Sequence, residues 1–160
     1  MKEFEGKILN TTLVLQNTVN KWKQENKRIV FTNGCFDILH LGHIKLLSES
    51  KKLGDYLIVG LNTDDSIKKL KGIQRPINNN YQRSMMLASF SFVDKIVFFN
   101  DETPIKLIED ICPDVLSKGA DYNVENIIGA SNVLSYGGTV KLIPLIANLS
   151  TTELIKKYKL

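Results

Sequence analysis

The amino-acid sequence predicts an α/β domain, a parallel sheet of about five strands with helices on both faces. Short β-branched runs alternate with longer stretches of helical period along the chain. Four or five of these runs are separated by helices, and strands joined through helices run parallel and lie covered on both sides. The length of 160 residues fits one domain, and 43% hydrophobic with 24% charged residues is a globular composition, not a disordered one.

The elements follow in order. Ile8 to Trp22 places Ile8, Leu9, Thr12, Leu15, Val19 and Trp22 on one helical stripe, so residues 1–27 form a helical extension before a main domain at 28–160. Whether that helix covers the core or a partner is left open by its pattern. Arg28–Thr32 is a strand and Ile44–Leu53 a helix closed by Gly54, with Lys51 and Lys52 in its last turn. Tyr56–Leu61 is a strand, Asp64–Leu70 a short helix, Asn79–Phe90 a helix and Lys95–Phe99 a strand. Thr103 caps a helix that has Pro104 at its first position and runs to about Ile111. Asp114–Ser117 is a strand, Val124–Tyr136 a broken helix, Thr139–Ile143 a strand and Ser150–Lys157 a closing helix. The least regular piece, Lys71–Asn80, is a surface loop.

Ligands of such sheets bind beyond the carboxyl ends of the strands, which points to the loop after the first main strand. It reads Thr32-Asn33-Gly34-Cys35-Phe36-Asp37-Ile38-Leu39-His40-Leu41-Gly42-His43-Ile44-Lys45. Neither GxxxxGK[ST] nor GxGxxG occurs, yet the parts of a phosphate site are present. Gly34 lets backbone N–H groups approach an anion, and Gly42 permits a tight turn before a helix whose N-terminus offers unpaired donors. His40 and His43, the two histidines of the chain, share one four-residue window and reach a common point. They are expected to be neutral in the free protein and to become charged donors beside a polyphosphate. Lys45 adds a fixed positive charge. Gly42 alone also fits an ordinary turn, and Asp37 an ordinary cap carboxylate. The histidines lack a third His or Cys nearby, so they are not expected to bind metal.

The stretch NGCFDILHLGH resembles the GxFDxxHxGH signature of the cytidylyltransferase-like nucleotidyltransferase superfamily and stands between strand and helix, as that signature does. KLGDYLIVGLNTD, KGIQRPINNNYQR, PDVLSKGADY, GGTVKLIP and LSTTELIKK are similar to blocks in heptose 1-phosphate adenylyltransferases, both stand-alone and as half of bifunctional heptose kinase/adenylyltransferases. The resemblance covers about Arg28 to the C-terminus and leaves residues 1–27 outside it. No sugar-kinase domain accompanies it, so a monofunctional enzyme and an excised half both stay open.

The resemblance implies a Rossmann-like fold and transfer of AMP from ATP to D-glycero-β-D-manno-heptose 1-phosphate, giving ADP-heptose and pyrophosphate. It makes His40, His43 and Lys45 the catalytic groups. Thr32, Asn33, Gly34, Cys35, Phe36, Asp37 and Gly42 line the phosphate pocket, Phe36 by packing. Arg83 reaches the phosphates and Lys118 matches the lysine of a VKGxDY block. Ser150, Thr151 and Thr152 resemble an ISTT motif that opens the last helix toward the nucleotide, and they equally fit a plain N-cap with Glu153 nearby. Lys71, Arg75 and Asp121 are placed at the second substrate. Mg2+ is expected on the phosphates without a dedicated protein site.

Two departures stand out. Ile146-Ala147-Asn148-Leu149 precedes the ISTT-like block where relatives have glycine, with Asn148 able to supply a positive φ. Cys35 stands where many relatives have Thr or Val, and it reads as loop filler, not as a nucleophile. Rival readings are a glycerol-3-phosphate cytidylyltransferase-like enzyme using CTP and a non-catalytic nucleotide-binding module. A net charge of +4 is too small and scattered for a nucleic-acid partner. No apolar run is long enough for a membrane span and no secretory signal opens the chain, so the expected setting is cytoplasmic, with a homodimer implied by the resemblance.

Overall fold

The computed structural model describes residues 1–9, 11–120, 126–144, 146 and 151–158. Its strands are β1 (Ile8–Leu9), β2 (Ile29–Gly34), β3 (Tyr56–Asn62), β4 (Lys95–Phe99), β5 (Val115–Gly119) and β6 (Thr139–Ile143). They form one sheet in the order β1-β4-β3-β2-β5-β6, and every neighbouring pair is parallel. The helices are α1 (Lys2–Glu5), α2 (Thr12–Gln24), α3 (Leu41–Lys51), α4 (Asp64–Lys71), α5 (Asn80–Ala88), α6 (Ile105–Ile111), α7 (Ala130–Ser135) and α8 (Thr151–Tyr158).

Both faces of the sheet are covered because successive strand residues point to opposite sides. Ile29, Phe31, Ile58, Val97 and Leu116 pack against Leu15, Val19 and Trp22 of α2 and Leu107, Ile108 and Ile111 of α6. Val30, Leu57, Val59, Ile96 and Val115 pack with Leu47 of α3 and Leu87 and Ala88 of α5. Local chemistry sets the helix starts: the side chains of Thr11, Thr63 and Asn79 accept from Val14, Ser66 and Gln82 N–H. Asn79 and Gln82 bond reciprocally as a capping box.

The helix expected from Ile8 begins at Thr12. Ile8 and Leu9 instead pair with Ile96 and Val97 as the edge strand β1, and Thr11 adopts an extended conformation as the N-cap. The misreading has a physical cause, since Leu9 is buried in the same cluster as Leu15, Val19 and Trp22 and so continues their apolar stripe. Helix α2 covers the core: Trp22 stacks on Tyr56 at 3.9 Å between ring centroids. Pro104, not Thr103, stands at the N-cap of α6, without a side-chain cap bond. In the broken-helix stretch, residues 121–125 lie outside the described residues and α7 is the one α-helix among the rest.

Candidate functional site

The strand order brings the polar end of the sheet to a crevice. From β2 the chain proceeds through α3 to β3 on one side, while β5 lies on the other side of β2. The carboxyl ends of β2 and β5 therefore flank the point where strand order reverses. Lys118 at the end of β5 donates from Nζ to the Asn33 carbonyl across this crevice, 3.0 Å. Close approach of β2 and β3 depends on Gly60, where a Cβ would lie 2.7 Å from Phe31 Cζ and 3.1 Å from the Asn33 Cβ.

Beyond Gly34 the chain turns sharply, with Phe36 at φ 47° and its ring buried against Gly34 and His43. His40 is the N-cap of α3. Its Nδ1 accepts from Gly42 N–H at 3.1 Å, and His43 Nδ1 accepts from His40 N–H at 3.4 Å. A neutral imidazole that accepts at Nδ1 carries its proton on Nε2, so both rings are fixed as Nε2–H donors. The rings stack with centroids 3.8 Å apart. Gly42 lies within the first turn of α3 and not in a turn before it, which leaves the amide end of the helix without a side chain there. Lys45 is the fifth residue of α3 and half-buried.

Burial lowers the pKa of His40. His43 is lowered to about 4, by burial first and then by His40 and Lys71. Both rings are neutral near pH 7, as the sequence reading expects of the free protein, with burial the leading cause. Between about pH 6.5 and 4 the unfolded chain binds a proton at position 43 that the folded chain refuses. Stability therefore falls as pH drops through that window, with a slope of at most about 1.4 kcal/mol per pH unit for one proton. Urea midpoints across this range should fall more steeply for the native sequence than for His43→Gln, and parallel curves would contradict the assignment.

A buried polar framework holds the loop. Asp37 is 1% exposed; its carboxylate accepts from Arg75 Nε at 2.8 Å and from the backbone N–H of Ile77 and Asn78 at 2.9 and 2.8 Å. Arg83 is fully buried and donates to the Asn78 and Cys35 carbonyls, Asp64 Oδ1 and Asn80 Oδ1, at 2.7 to 3.0 Å. Thr32 is also fully buried and donates to the Ser117 carbonyl, 2.9 Å. The side chains of Thr32, Phe36, Asp37 and Arg83 thus shape the loop after β2 from inside. Arg83, expected at the phosphates, lies in the interior with four hydrogen bonds to protein acceptors, behind the loop rather than in the cleft. Burial pushes the Cys35 thiol up, so it stays protonated, as its reading as filler requires.

A cleft of about 330 Å³ opens beside Asn33, Gly34 and Cys35, over the carboxyl ends of β3, β4 and β5. Lys71 and Lys118 line it, together with Asn62, Glu102 and Asn126, which the sequence did not single out. Asn62 had a legible signal, a polar residue ending an apolar strand; Glu102 and Asn126 sit in connections with no pattern. Arg75 is held back by Asp37, with a buried Nη2 that has no partner. Thr151 places the start of α8 beside the histidine loop through a 3.5 Å bond from Oγ1 to the Ile38 carbonyl. Ser150 and Asp121, the Asn148 position and the side chain of Thr152 lie outside the described residues.

The arrangement, with neutral imidazole donors at a helix start, a crevice at the sheet's reversal point and lysines across it, matches a known family. The cytidylyltransferase-like family model matches residues 31–157. The chain belongs to the cytidylyltransferase-like family. Similar curated proteins include the bifunctional protein HldE of Campylobacter jejuni (strain RM1221), 50% identical over 98% of this chain and 32% of the relative. HldE of Koribacter versatilis (strain Ellin345) is 45% identical over 96% of this chain and 31% of the relative. The chain spans about a third of the length of these relatives. Their matches take in most of residues 1–27, so the likeness to these relatives extends into the N-terminal segment. Among solved structures, the lipopolysaccharide core biosynthesis protein of Thermoplasma volcanium GSS1 is 32% identical over 75% of this chain and 97% of its own, with a TM-score of 0.62. Pantoate-beta-alanine ligase from Francisella tularensis, 18% identical with a TM-score of 0.66 over 95% of this chain and 76% of its own, shares the fold.

Proposed function

We propose that this chain transfers AMP from ATP to a heptose 1-phosphate, giving ADP-heptose and pyrophosphate. The observation that carries the proposal is the stacked pair of Nε2–H imidazoles capping α3 beside a lysine-lined cleft. The motif blocks resembling heptose 1-phosphate adenylyltransferases and the bifunctional relatives support this choice over a glycerol-3-phosphate cytidylyltransferase.

The triphosphate lies over the start of α3, between the histidines and the α8 end near Ile38. The sugar phosphate lies in the cleft with Lys71 and Lys118. In this placement an acceptor oxygen approaches the α-phosphorus from the side opposite the departing pyrophosphate, the alignment that displacement at phosphorus needs. That oxygen is already ionised at neutral pH. It forms the new P–O bond while the bond from the α-phosphorus to the bridging oxygen breaks, and no general base is needed. What the protein supplies is alignment and donors for the charge on the transferring group: His40 and His43 Nε2–H, the α3 amides and Lys45.

Nucleotidyl transfer from ATP generally uses a divalent cation, which we assign as Mg2+. Among the described residues no cluster of three His, Cys, Asp or Glu forms a metal cage, whereas Asn33 Oδ1 is a buried oxygen without a partner at the cleft. This set fits an ion bound chiefly by phosphate oxygens, with Asn33 as the available protein donor; there it would neutralise phosphate charge. No helix among the described residues is long and apolar enough to cross a membrane, and we place the enzyme in the cytoplasm as a homodimer. Pyrophosphate release should require ATP with heptose 1-phosphate when ATP and CTP are crossed with heptose 1-phosphate and glycerol 3-phosphate. Turnover confined to CTP with glycerol 3-phosphate would reverse the assignment, and nucleotide binding without turnover would favour the non-catalytic module.

A further inference from the structure

Two lysines in the acceptor cleft suit a phosphate, but a carboxylate in the same cleft calls for a separate account. Glu102, in the connection between β4 and α6, is the one carboxylate among the described residues lining it. Its side chain is exposed to solvent and makes no hydrogen bond or ion pair with the described residues, in contrast to Asp37, Asp64 and Asp94, whose carboxylates are bound by protein donors. A carboxylate left uncompensated beside two polyanionic substrates is unfavourable against any phosphate it faces and favourable against hydroxyl donors. The cleft supplies matching neutral groups. Asn62 is buried and fixed by its bond from Nδ2 to Ser66 Oγ, 3.0 Å, and Asn126 lines the wall contributed by the segment before α7. The cleft thus carries both kinds of group, cations at Lys71 and Lys118 and acceptor oxygens at Glu102.

Resting on the acceptor placement proposed above, we infer that Glu102 is a specificity-determining residue that accepts hydrogen bonds from the hydroxyls of the sugar while the lysines hold its phosphate. A carboxylate accepts two hydroxyl donors side by side, and a site built for hydroxyls rejects an analogue lacking them because its own polar groups are then left unpaired. Selection for a polyhydroxylated acceptor over a short phosphorylated alcohol follows from this one side chain.

Glu102 is a surface residue without protein partners, so Glu102→Ala and Glu102→Gln should fold and melt like the native chain. Steady-state assays with heptose 1-phosphate should then give a KM for the sugar phosphate raised about tenfold or more in Glu102→Ala, and less in Glu102→Gln, which keeps one acceptor oxygen. The KM for ATP should stay within about twofold. An unchanged sugar-phosphate KM in Glu102→Ala, or a rise confined to the KM for ATP, overturns the role of Glu102 while leaving the transferase reading intact. Absence of turnover by the native chain with heptose 1-phosphate would instead strike the functional reading itself, so the two failures are distinct.

Discussion

Replacing Arg83 with alanine should destabilise the fold by about 3 to 5 kcal/mol, the range for removing one partner of a buried charge pair. The guanidinium has no solvent access and joins three separate segments: the Cys35 carbonyl of the loop after β2, the Asn78 carbonyl of the loop before α5, and Asp64 at the start of α4. Its loss leaves these acceptors, with Asn80 Oδ1, facing a cavity. Arg83→Lys should recover little, because an ammonium lacks the planar fork that reaches several acceptors at fixed angles. Urea unfolding should show a lowered midpoint for both variants. The phosphate reading of Arg83 makes the opposite forecast, a normally stable variant with ATP affinity reduced by orders of magnitude, and that result would support it.

Arg83 also marks the limit of what the sequence could convey. Alternation of apolar runs was enough to place β4 and β6 at their observed bounds, because a short β-branched and apolar run between turns leaves a local record whether the strand lies inside the sheet, as β4 does, or at its edge, as β6 does. The HxGH segment was legible for a similar reason: cap, glycine and second imidazole all lie within four residues, and the bonds that fix them are local. Arg83 is different. Its partners stand 48 and 19 positions away at Cys35 and Asp64, and a polar residue on an amphipathic helix reads the same whether it faces solvent or a buried carboxylate. Asp37 was undecidable on the same grounds, since the donors that claim it come from residues 75–78. Strand β1 escaped notice because two residues carry no period, and its pairing partner lies 88 positions away. Local order wrote itself into the sequence, whereas contacts across the sheet's carboxyl end did not.

His43→Ala should lower turnover about a hundredfold or more while the chain remains folded, the loss typical of one preorganised donor to a transferring group. The effect should fall on kcat more than on the KM for ATP, because the donor matters most where charge builds in the transition state. The ring also has a structural part: it accepts from His40 N–H and packs between His40 and Phe36. A modest loss of stability, about 1 kcal/mol for the cap bond, is therefore expected beside the kinetic defect. His40 separates the two contributions. Asparagine is a good N-cap, so His40→Asn should preserve the bond from Gly42 N–H and the start of α3 while removing the imidazole donor. If catalysis depends on the rings, His40→Asn melts like the native chain and still loses most of its turnover. If the pair serves only to begin the helix, His40→Asn is fully active and His43→Ala fails in proportion to its instability. Melting curves and single-turnover rates on these two variants decide between those outcomes.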